Sequence, residues 1–280
     1  MVPLVFLAVS ALLNVALDLL CVIVFGWGVK GAAGATVFSQ FVSGIGIGIY
    51  TLKKFPELCP KREDCRWDKQ NLASILNLSV MTSVQQSIMN FGILMVQGLV
   101  NSFGTVIMAA FAAGVKIDSF AYMPVQDFGN AFSTFIAQNF GAKKYDRIRQ
   151  GYRISFGILT IWGLIITAAF VLLPRPISGL FFHDPESLGI SVNYLIIIGF
   201  CEAFMAIELM TIGALSGLGM TKLCSIISII LTGARIPLAM LLTHAGMGLN
   251  GIWWALSLTS IVKGIIFTLT FRQTSRTKLN

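Results

Sequence analysis

The sequence predicts an all-α polytopic membrane protein with eight transmembrane helices. Hydrophobic residues make up 56% of the 280-residue chain and charged residues only 11%, and the mean hydropathy is +0.82. Such a composition is typical of proteins that cross a membrane several times. The apolar runs are also far longer than the strands of a membrane barrel. Each run is therefore predicted to be a helix whose backbone groups bond to one another.

A helix needs about 20 apolar residues to cross a hydrocarbon core about 30 Å thick. The chain contains eight such runs, bounded by charged residues, glycine or proline: 2–25, 31–53, 72–100, 105–140, 153–173, 188–216, 222–243 and 251–272. The first run lacks a basic leader and is too long for the apolar part of a signal peptide. We therefore interpret it as a true helix.

The basic residues predict the orientation of the chain in the cell membrane. Fifteen of them flank the even-numbered connections or the C-terminus: Lys53, Lys54, Lys61, Arg62, Arg66, Lys69, Lys143, Lys144, Arg147, Arg149, Arg153, Lys222, Arg272, Arg276 and Lys278. The odd-numbered connections have only Lys30 and Arg175. The positive-inside rule then places the even-numbered connections and the C-terminus in the cytoplasm. We attribute the net charge of +8 to this topology and to contact with membrane lipids, and we predict no nucleic-acid partner.

The sequence shows no motif of an enzyme or of a metal centre. Its five cysteines have no metal-ligand spacing, and Cys59 and Cys65 lie in a basic, cytoplasmic loop where a disulfide is not expected. His183 and His244 lie near helix ends without the neighbours of a metal site. No G-x-S-x-G or H-E-x-x-H sequence occurs. We therefore expect no cofactor and no enzymatic activity.

A short glycine motif occurs twice. "GWGVKG" (Gly26–Gly31) follows the first predicted helix and "GMGLNG" (Gly246–Gly251) follows the seventh, at an offset of 220 residues. Internal repeats of this kind are common in transporters. With this period, the last six helices form one copy and the first two are the final hairpin of a preceding copy. The predicted domains are the hairpin 1–53, a cytoplasmic linker 54–71, a six-helix lobe 72–272 and a cytoplasmic tail 273–280.

The first predicted helix contains an amide and a carboxylate in an apolar setting. Asn14 and Asp18 are four residues apart and share one helical face. Asp18 lies nine residues before the turn near residue 27 and Thr36 lies nine after it, so both are about 13 Å from the turn and near the bilayer midplane. The three side chains suit Na⁺ binding or proton exchange. The alternative is a buried polar network that only fixes helix packing.

Three stretches, in this order and spacing, resemble the multidrug and toxic compound extrusion (MATE) family. They are the Asn14-x-x-x-Asp18 pair followed by "GVKGAAGAT", "PVQDFGNAFSTFIAQNFGAKKYDRIRQG" (124–151) and "IGALSGLGMTK" (212–222). The resemblance implies the last eight of twelve helices, in a two-lobe architecture with an incomplete N-lobe. It also implies a monomeric secondary exporter of small organic, often cationic compounds, driven by Na⁺ or H⁺ antiport. The family positions that match Asn14, Asp18 and Thr36 belong to its N-lobe cation site.

The sequence departs from the family pattern in three respects. The N-lobe cation site of the family also uses an aspartate from a helix that has no counterpart in the chain. Some members carry a glutamate where the third predicted helix has Gln86, which argues against that carboxylate mechanism here. The second hairpin has Ala234, Leu238 and Leu256 at the positions of Asn14, Asp18 and Thr36, so the cation site is not duplicated.

Charged residues also occur inside the later helices. Glu202 and Glu208 lie in the sixth predicted helix about 120° apart around its axis, and we consider Glu208 the better candidate for a translocation path. Arg235 and Lys263 lie deep in the last two helices and can neutralise one of these glutamates. The four residues form either a functional charge relay or a packing ion pair.

The fourth predicted helix contains Pro124 and several polar residues. Proline can kink a span and free a carbonyl group, and nearby polar groups can then line an aqueous cavity. Gln126 and Asn130 are the candidates for the translocation path, together with Gln86 of the preceding helix, and interhelical hydrogen bonds are the alternative. The polar residues of the fourth helix are Lys116, Asp118, Gln126, Asp127, Asn130 and Gln138.

Two other functions remain open at this point. A lipid-linked oligosaccharide flippase of the same superfamily would have a basic central cavity, whereas the intramembrane carboxylates of this chain favour an exporter. The chain can also be an inactive fragment of a transporter, because four helices of the predicted twelve have no counterpart in it.

Overall fold

The computed structural model describes residues 2–58 and 68–278, and Cys59 and Cys65 lie outside them. The described residues form helices joined by turns, with no strand among them. By its internal contacts the chain divides into two compact units, Met1–Lys69 and Gln70–Asn280. The division falls within the predicted connection 54–71, half of which lies outside the described residues.

The first unit is a helical hairpin. Helix α1 (Val2–Leu19) continues as a π-helical turn (Leu20–Val24), and α2 (Gly28–Lys54) is followed by a 3₁₀ turn (Pro56–Leu58). The buried residues of α2 are small and recur every fourth position: Gly31, Ala35, Ser39 and Ser43. Ser10 donates its hydroxyl to the carbonyl of Ser39 at 2.8 Å. Small side chains let the two backbones approach closely, which is the main source of attraction between helices in lipid.

The second unit contains the remaining helices. They are α3 (Lys69–Asn101), α4 (Thr105–Gly141), α5 (Tyr145–Leu172), α6 (Pro174–Gly179), α7 (Pro185–Gly199), α8 (Glu202–Gly217), α9 (Thr221–Leu242, continued by the π-helical turn Thr243–Met247) and α10 (Leu249–Lys278). Helix α5 begins before the predicted start at 153, and α10 continues past the predicted end at 272. Both extensions carry arginines, whose long side chains can reach the interface while the backbone stays helical.

Length and hydropathy identify most of these helices as membrane spans. Within the described ranges, six helices are long and apolar enough to cross alone, and α7 with α8 makes a seventh span if the two are counted as one. Helix α3 has 33 residues but is less apolar. Its amide side chains are Gln70, Asn71, Asn77, Gln85, Gln86, Asn90, Gln97 and Asn101. The structure thus has a helix at each of the eight predicted runs and confirms an all-α polytopic membrane protein.

The sixth predicted span is broken. We predicted one helix over 188–216, whereas α7 and α8 meet at an angle of 54°. Helix α7 ends at Gly199, which packs against Phe170, and the hydroxyl of Thr167 donates to the Gly199 carbonyl at 2.7 Å. This hydrogen bond satisfies a carbonyl that the bend removes from the helix. The prediction of one continuous helix was wrong because hydropathy alone does not detect such a bend.

The repeated glycine motif has the same backbone conformation in both hairpins. Gly26 and Gly28 have φ values of +67° and +55°, and Gly246 and Gly248 have +94° and +52°. These values lie in the left-handed region that favours glycine. A π-helical turn precedes the first motif and overlaps the first two residues of the second. The match at an offset of 220 residues therefore extends from sequence to local structure.

Helix α8 is surrounded by helices that approach it through glycine. A methyl group added to any glycine at these crossings would meet atoms of the facing helix at less than van der Waals distance. The pairs are Gly129 of α4 with Gly213, Gly163 of α5 with Ala203, and Gly264 of α10 with Phe204. Backbone approach of this kind lets α8 pack tightly on three sides. The two glutamates of α8 are consequently held at fixed positions.

We predict that Gly213→Ala lowers the stability of the protein. The added methyl group would overlap the carbonyl of Gly129 and force α4 and α8 apart, at a cost of about 1–3 kcal/mol. The matched control is Gly233→Ala in α9, where nothing lies within 4 Å of the added carbon. Thermal unfolding of the purified variants in detergent measures the effect. Equal melting temperatures for Gly213→Ala and the wild type would contradict the close crossing.

Candidate functional site

Two groups of polar residues stand out, one in each unit. In the hairpin, the Asn14 amide donates to the Thr36 hydroxyl at 3.3 Å, and that hydroxyl donates to the Ala32 carbonyl at 3.0 Å. Asp18 is half-buried on the same face of α1 as Asn14. Its Oδ1 atom is shielded from solvent and has no hydrogen-bond partner among the described residues. An oxygen in this state is chemically suited to take a proton or a Na⁺ ion.

The second unit contains a cavity of about 340 Å³. Its wall is formed by α3, α4, α7, α8, α9 and α10, and most of it is apolar. The charged and polar residues of the wall are Asp118, Ser119, Tyr122, Tyr194, Cys201, Glu208, Thr232, Arg235, Ser260 and Lys263. This size and composition fit a binding site for a small organic molecule, in which a few polar groups fix the orientation of the ligand.

One wall of the cavity contains a buried ion pair. Lys263 Nζ of α10 lies 3.5 Å from Glu208 Oε1 of α8. Both residues are buried, with exposed fractions of 4% and 7%. A lone charge would be expensive at this depth, so the pair neutralises two groups that neither helix could hold alone.

Arg235 of α9 is held by hydrogen bonds to two hydroxyl groups and keeps its positive charge. Its Nε donates to the Thr259 hydroxyl at 3.0 Å and one terminal nitrogen donates to the Ser260 hydroxyl at 3.5 Å. Among the described residues no carboxylate lies within ion-pair distance of it. A guanidinium has five N–H donors, and these two hydroxyls occupy two of them. Arg235 therefore gives the cavity wall a positive group with unused donors.

The carboxyl groups of Asp118 on α4 and Glu202 on α8 are close neighbours. Two ionised carboxylates repel each other, and the repulsion is strongest where burial removes water. Each residue also has one oxygen that is buried without a hydrogen-bond partner among the described residues. Glu202 is the first residue of α8 and is only 2% exposed. The bend between α7 and α8 thus places a carboxyl pair beside the cavity.

The structure assembles some of the predicted site residues and separates others. Glu208, Arg235 and Lys263 line one cavity, and Glu202 contacts Asp118 on its wall. Three further candidates for the translocation path do not line it: Gln86 and Asn130 are exposed, and Gln126 is half-buried. The kink at Pro124 was expected to gather polar groups, yet α4 continues as one helix through this proline, and of its predicted polar residues only Asp118 lines the cavity.

Sequence reasoning missed several residues of the wall, although a usable signal existed. Tyr122 follows Asp118 by four residues, Thr232 precedes Arg235 by three, and Ser260 precedes Lys263 by three. Residues three or four apart share a helical face, so each charged residue indicated a neighbour. Tyr194 had no such signal. It contacts Trp253 edge-to-face at 5.0 Å in the packed core behind the cavity.

We predict that replacing one partner of the Glu208–Lys263 pair destabilises the protein more than replacing both partners. Lys263→Met leaves a buried carboxylate unpaired and should lower the free energy of unfolding by about 3–5 kcal/mol, whereas Glu208→Gln with Lys263→Met should recover most of this loss. Denaturant unfolding in detergent, followed by tryptophan fluorescence, measures both.

Lys116→Met and Asp127→Asn provide the control for this cycle. Both change charges on exposed positions of α4, and we expect changes within about 0.5 kcal/mol, alone or together. Strictly additive losses in the Glu208 and Lys263 variants would contradict a direct interaction between the two side chains.

Comparison with known proteins agrees with this architecture. The MatE family model matches residues 79–241, which is more than half of the chain. The probable multidrug resistance protein NorM of Thermotoga maritima is 29% identical over 96% of the chain and 58% of its own length. The FAD transporter of Shewanella oneidensis is 23% identical over 94% of the chain and 59% of its own length. The chain thus spans somewhat over half the length of these relatives.

A solved structure of a Vibrio cholerae MATE transporter in a bent form has the same fold. It is 22% identical, superposes with a TM-score of 0.82, and is matched over 98% of the chain and 62% of its own length. MatE proteins are membrane transporters and not enzymes, which confirms the prediction that the chain has no enzymatic activity. The helices, the repeated hairpin and the family model together show that this chain is a multi-pass membrane protein of the MatE family.

Proposed function

We propose that the chain functions in secondary active export of small organic compounds from the cell, in exchange for Na⁺ or H⁺. The observation that carries this proposal is the cavity of the second unit, an apolar chamber with charged groups contributed by four helices. Its aromatic residues, Phe111, Tyr122 and Tyr194, can contact flat or cationic compounds, and Glu208 supplies a negative group. The relative from Thermotoga maritima, a probable multidrug resistance protein, supports the same function.

In this proposal the coupling ion binds at Asp18. The occluded Oδ1 atom has no hydrogen-bond partner among the described residues, and the Asn14 and Thr36 side chains supply further oxygen atoms nearby. Binding of Na⁺ or H⁺ would remove the cost of an uncompensated carboxylate and shift the balance between inward-open and outward-open forms. The protein would act as a monomer in the cell membrane, with its C-terminus in the cytoplasm, as the distribution of basic residues predicts.

The charges of the cavity favour an exporter over a lipid-linked oligosaccharide flippase. A flippase would need a basic chamber to hold its anionic substrate. The wall described above contains Asp118 and Glu208 as well as Arg235 and Lys263, and is therefore of mixed sign.

A second candidate function is the export of an organic anion. Arg235 faces the same cavity with unused donors and no carboxylate within ion-pair distance among the described residues. Guanidinium groups bind carboxylates and phosphates with two parallel hydrogen bonds. The relative from Shewanella oneidensis is an FAD transporter, and FAD carries phosphate groups.

We predict that Asp18→Asn abolishes ion-driven transport and leaves the fold intact. The amide can neither bind a proton nor supply a negative charge, so gradient-driven accumulation of ethidium in vesicles containing the purified chain should fall by about 5- to 150-fold. Asp127→Asn, at an exposed carboxylate of α4, is the matched control and should transport like the wild type.

The same vesicles also separate the two candidate functions. Transport of FAD but not of ethidium by the wild-type chain would establish the anion exporter. Full ethidium transport by Asp18→Asn, with an unchanged dependence on Na⁺ or pH, would overturn the assignment of the coupling site.

A further inference from the structure

A basic groove lies at the membrane end where α5 begins and α10 ends. It encloses about 590 Å³ and is separate from the charged cavity. Four arginines line it, two from each helix: Arg149, Arg153, Arg272 and Arg276. Arg153, Arg272 and Arg276 are exposed, so their guanidinium groups are open to a ligand, and Arg149 is half-buried. The groove has no part in the proposed cavity site or in the proposed coupling site at Asp18.

The spacing of the arginines directs all four toward one place. Arg149 and Arg153 are four residues apart on α5, as are Arg272 and Arg276 on α10, so each pair shares a helical face. Arg149 forms an ion pair with Asp146, whose carboxylate is fully exposed and 3.9 Å away. From residue 209 to the C-terminus the sequence contains six basic residues and no Asp or Glu. Arg153, Arg272 and Arg276 therefore give the groove a positive charge at any physiological pH.

The floor of the groove is rigid. The rings of Tyr152 and Phe271 are stacked with centroids 3.7 Å apart and an angle of 10° between their planes. The Tyr152 hydroxyl is 3.1 Å from the Thr211 hydroxyl of α8, which fixes the ring from behind. The stacked rings of Tyr152 and Phe271 thus hold α5 and α10, the two helices that carry the arginines, at a constant separation. A site built in this way loses little entropy when it binds a ligand.

Exposed apolar side chains continue from the groove toward the membrane. Leu269 and Ile265 follow Arg272 and Arg276 along the same face of α10, and they are 57% and 47% exposed. A ligand that fits the whole surface therefore has an anionic head and a hydrocarbon part. Planar guanidinium groups match the oxygens of a phosphate group, and basic pockets between membrane helices commonly hold phospholipid headgroups.

We propose that this groove is a binding site for an anionic phospholipid. The phosphate group lies among the four arginines, above the ring pair of Tyr152 and Phe271, and an acyl chain lies along Leu269 and Ile265. A free phosphate ion shares the headgroup chemistry but makes no use of the apolar row. The bound lipid links α5 to α10, and through Tyr152 and Thr211 it contacts α8, the helix that carries the glutamates of the cavity.

Native mass spectrometry of the purified chain in detergent tests this proposal. Phosphatidylglycerol and phosphatidylcholine with identical acyl chains are titrated in turn, and the bound lipid is counted. We expect phosphatidylglycerol to bind on the order of 10-fold more tightly than phosphatidylcholine, because of its net charge. The variant Arg272→Gln with Arg276→Gln should lose this preference. The variant Arg272→Lys with Arg276→Lys keeps the positive charge but lacks the planar guanidinium groups. It should retain part of the preference for phosphatidylglycerol.

The matched control is Lys144→Gln with Arg147→Gln. These exposed residues lie at the same membrane end as the groove but do not line it, and they should leave the preference unchanged. An equal loss in control and groove variants would show non-specific surface attraction and overturn the proposal. Displacement of the lipid by inorganic phosphate at an equal concentration would also overturn it, because the groove would then be a site for soluble phosphate.

Discussion

The approach of three helices to α8 through glycine is the constraint on which the second unit depends. Lipid tails are as apolar as leucine side chains, so helices in a membrane gain little by burying them against one another. They gain instead from close backbone contact, which Gly129, Gly163 and Gly264 provide on three sides of α8. The tight packing leaves α8 no freedom to turn its glutamates toward lipid. Glu202 is held against Asp118, and Glu208 is held against Lys263.

The intramembrane charges of the second unit follow from this packing. Glu208 and Lys263 form an ion pair, Arg235 donates to two hydroxyl groups, and Glu202 lies beside the carboxyl group of Asp118. A fully satisfied network of this kind would only stabilise the protein. Among the described residues, guanidinium donors of Arg235 and carboxyl oxygens of Asp118 and Glu202 have no partner, so the network is incomplete. The incomplete network surrounds a chamber large enough for a small molecule, which is the physical reason for interpreting it as a binding site.

The sequence was sufficient to predict the helices, because long apolar runs in a chain with 11% charged residues have few other structures available. The glycine motif also predicted the two similar hairpins. The bend at Gly199 could not be predicted, since it depends on Phe170 and Thr167 of another helix. For the same reason Glu208 and Lys263 were recognised only as potential partners, while the pairing of Asp118 with Glu202 was not foreseen. Gln126 and Asn130 do not line this cavity, because polarity alone does not reveal which side of a helix faces it.

The central claim is that this cavity binds the transported compound. Thiol labelling of the cavity wall is its most direct test. In a variant with all five cysteines replaced by serine, Ser260→Cys places a single thiol on the wall beside Arg235 and Lys263. Ser102→Cys, at an exposed turn, serves as the reference. We predict that ethidium slows maleimide labelling at position 260 in proportion to its occupancy and leaves labelling at position 102 unchanged. Equal labelling rates with and without saturating ethidium or FAD at position 260 would contradict binding in this cavity.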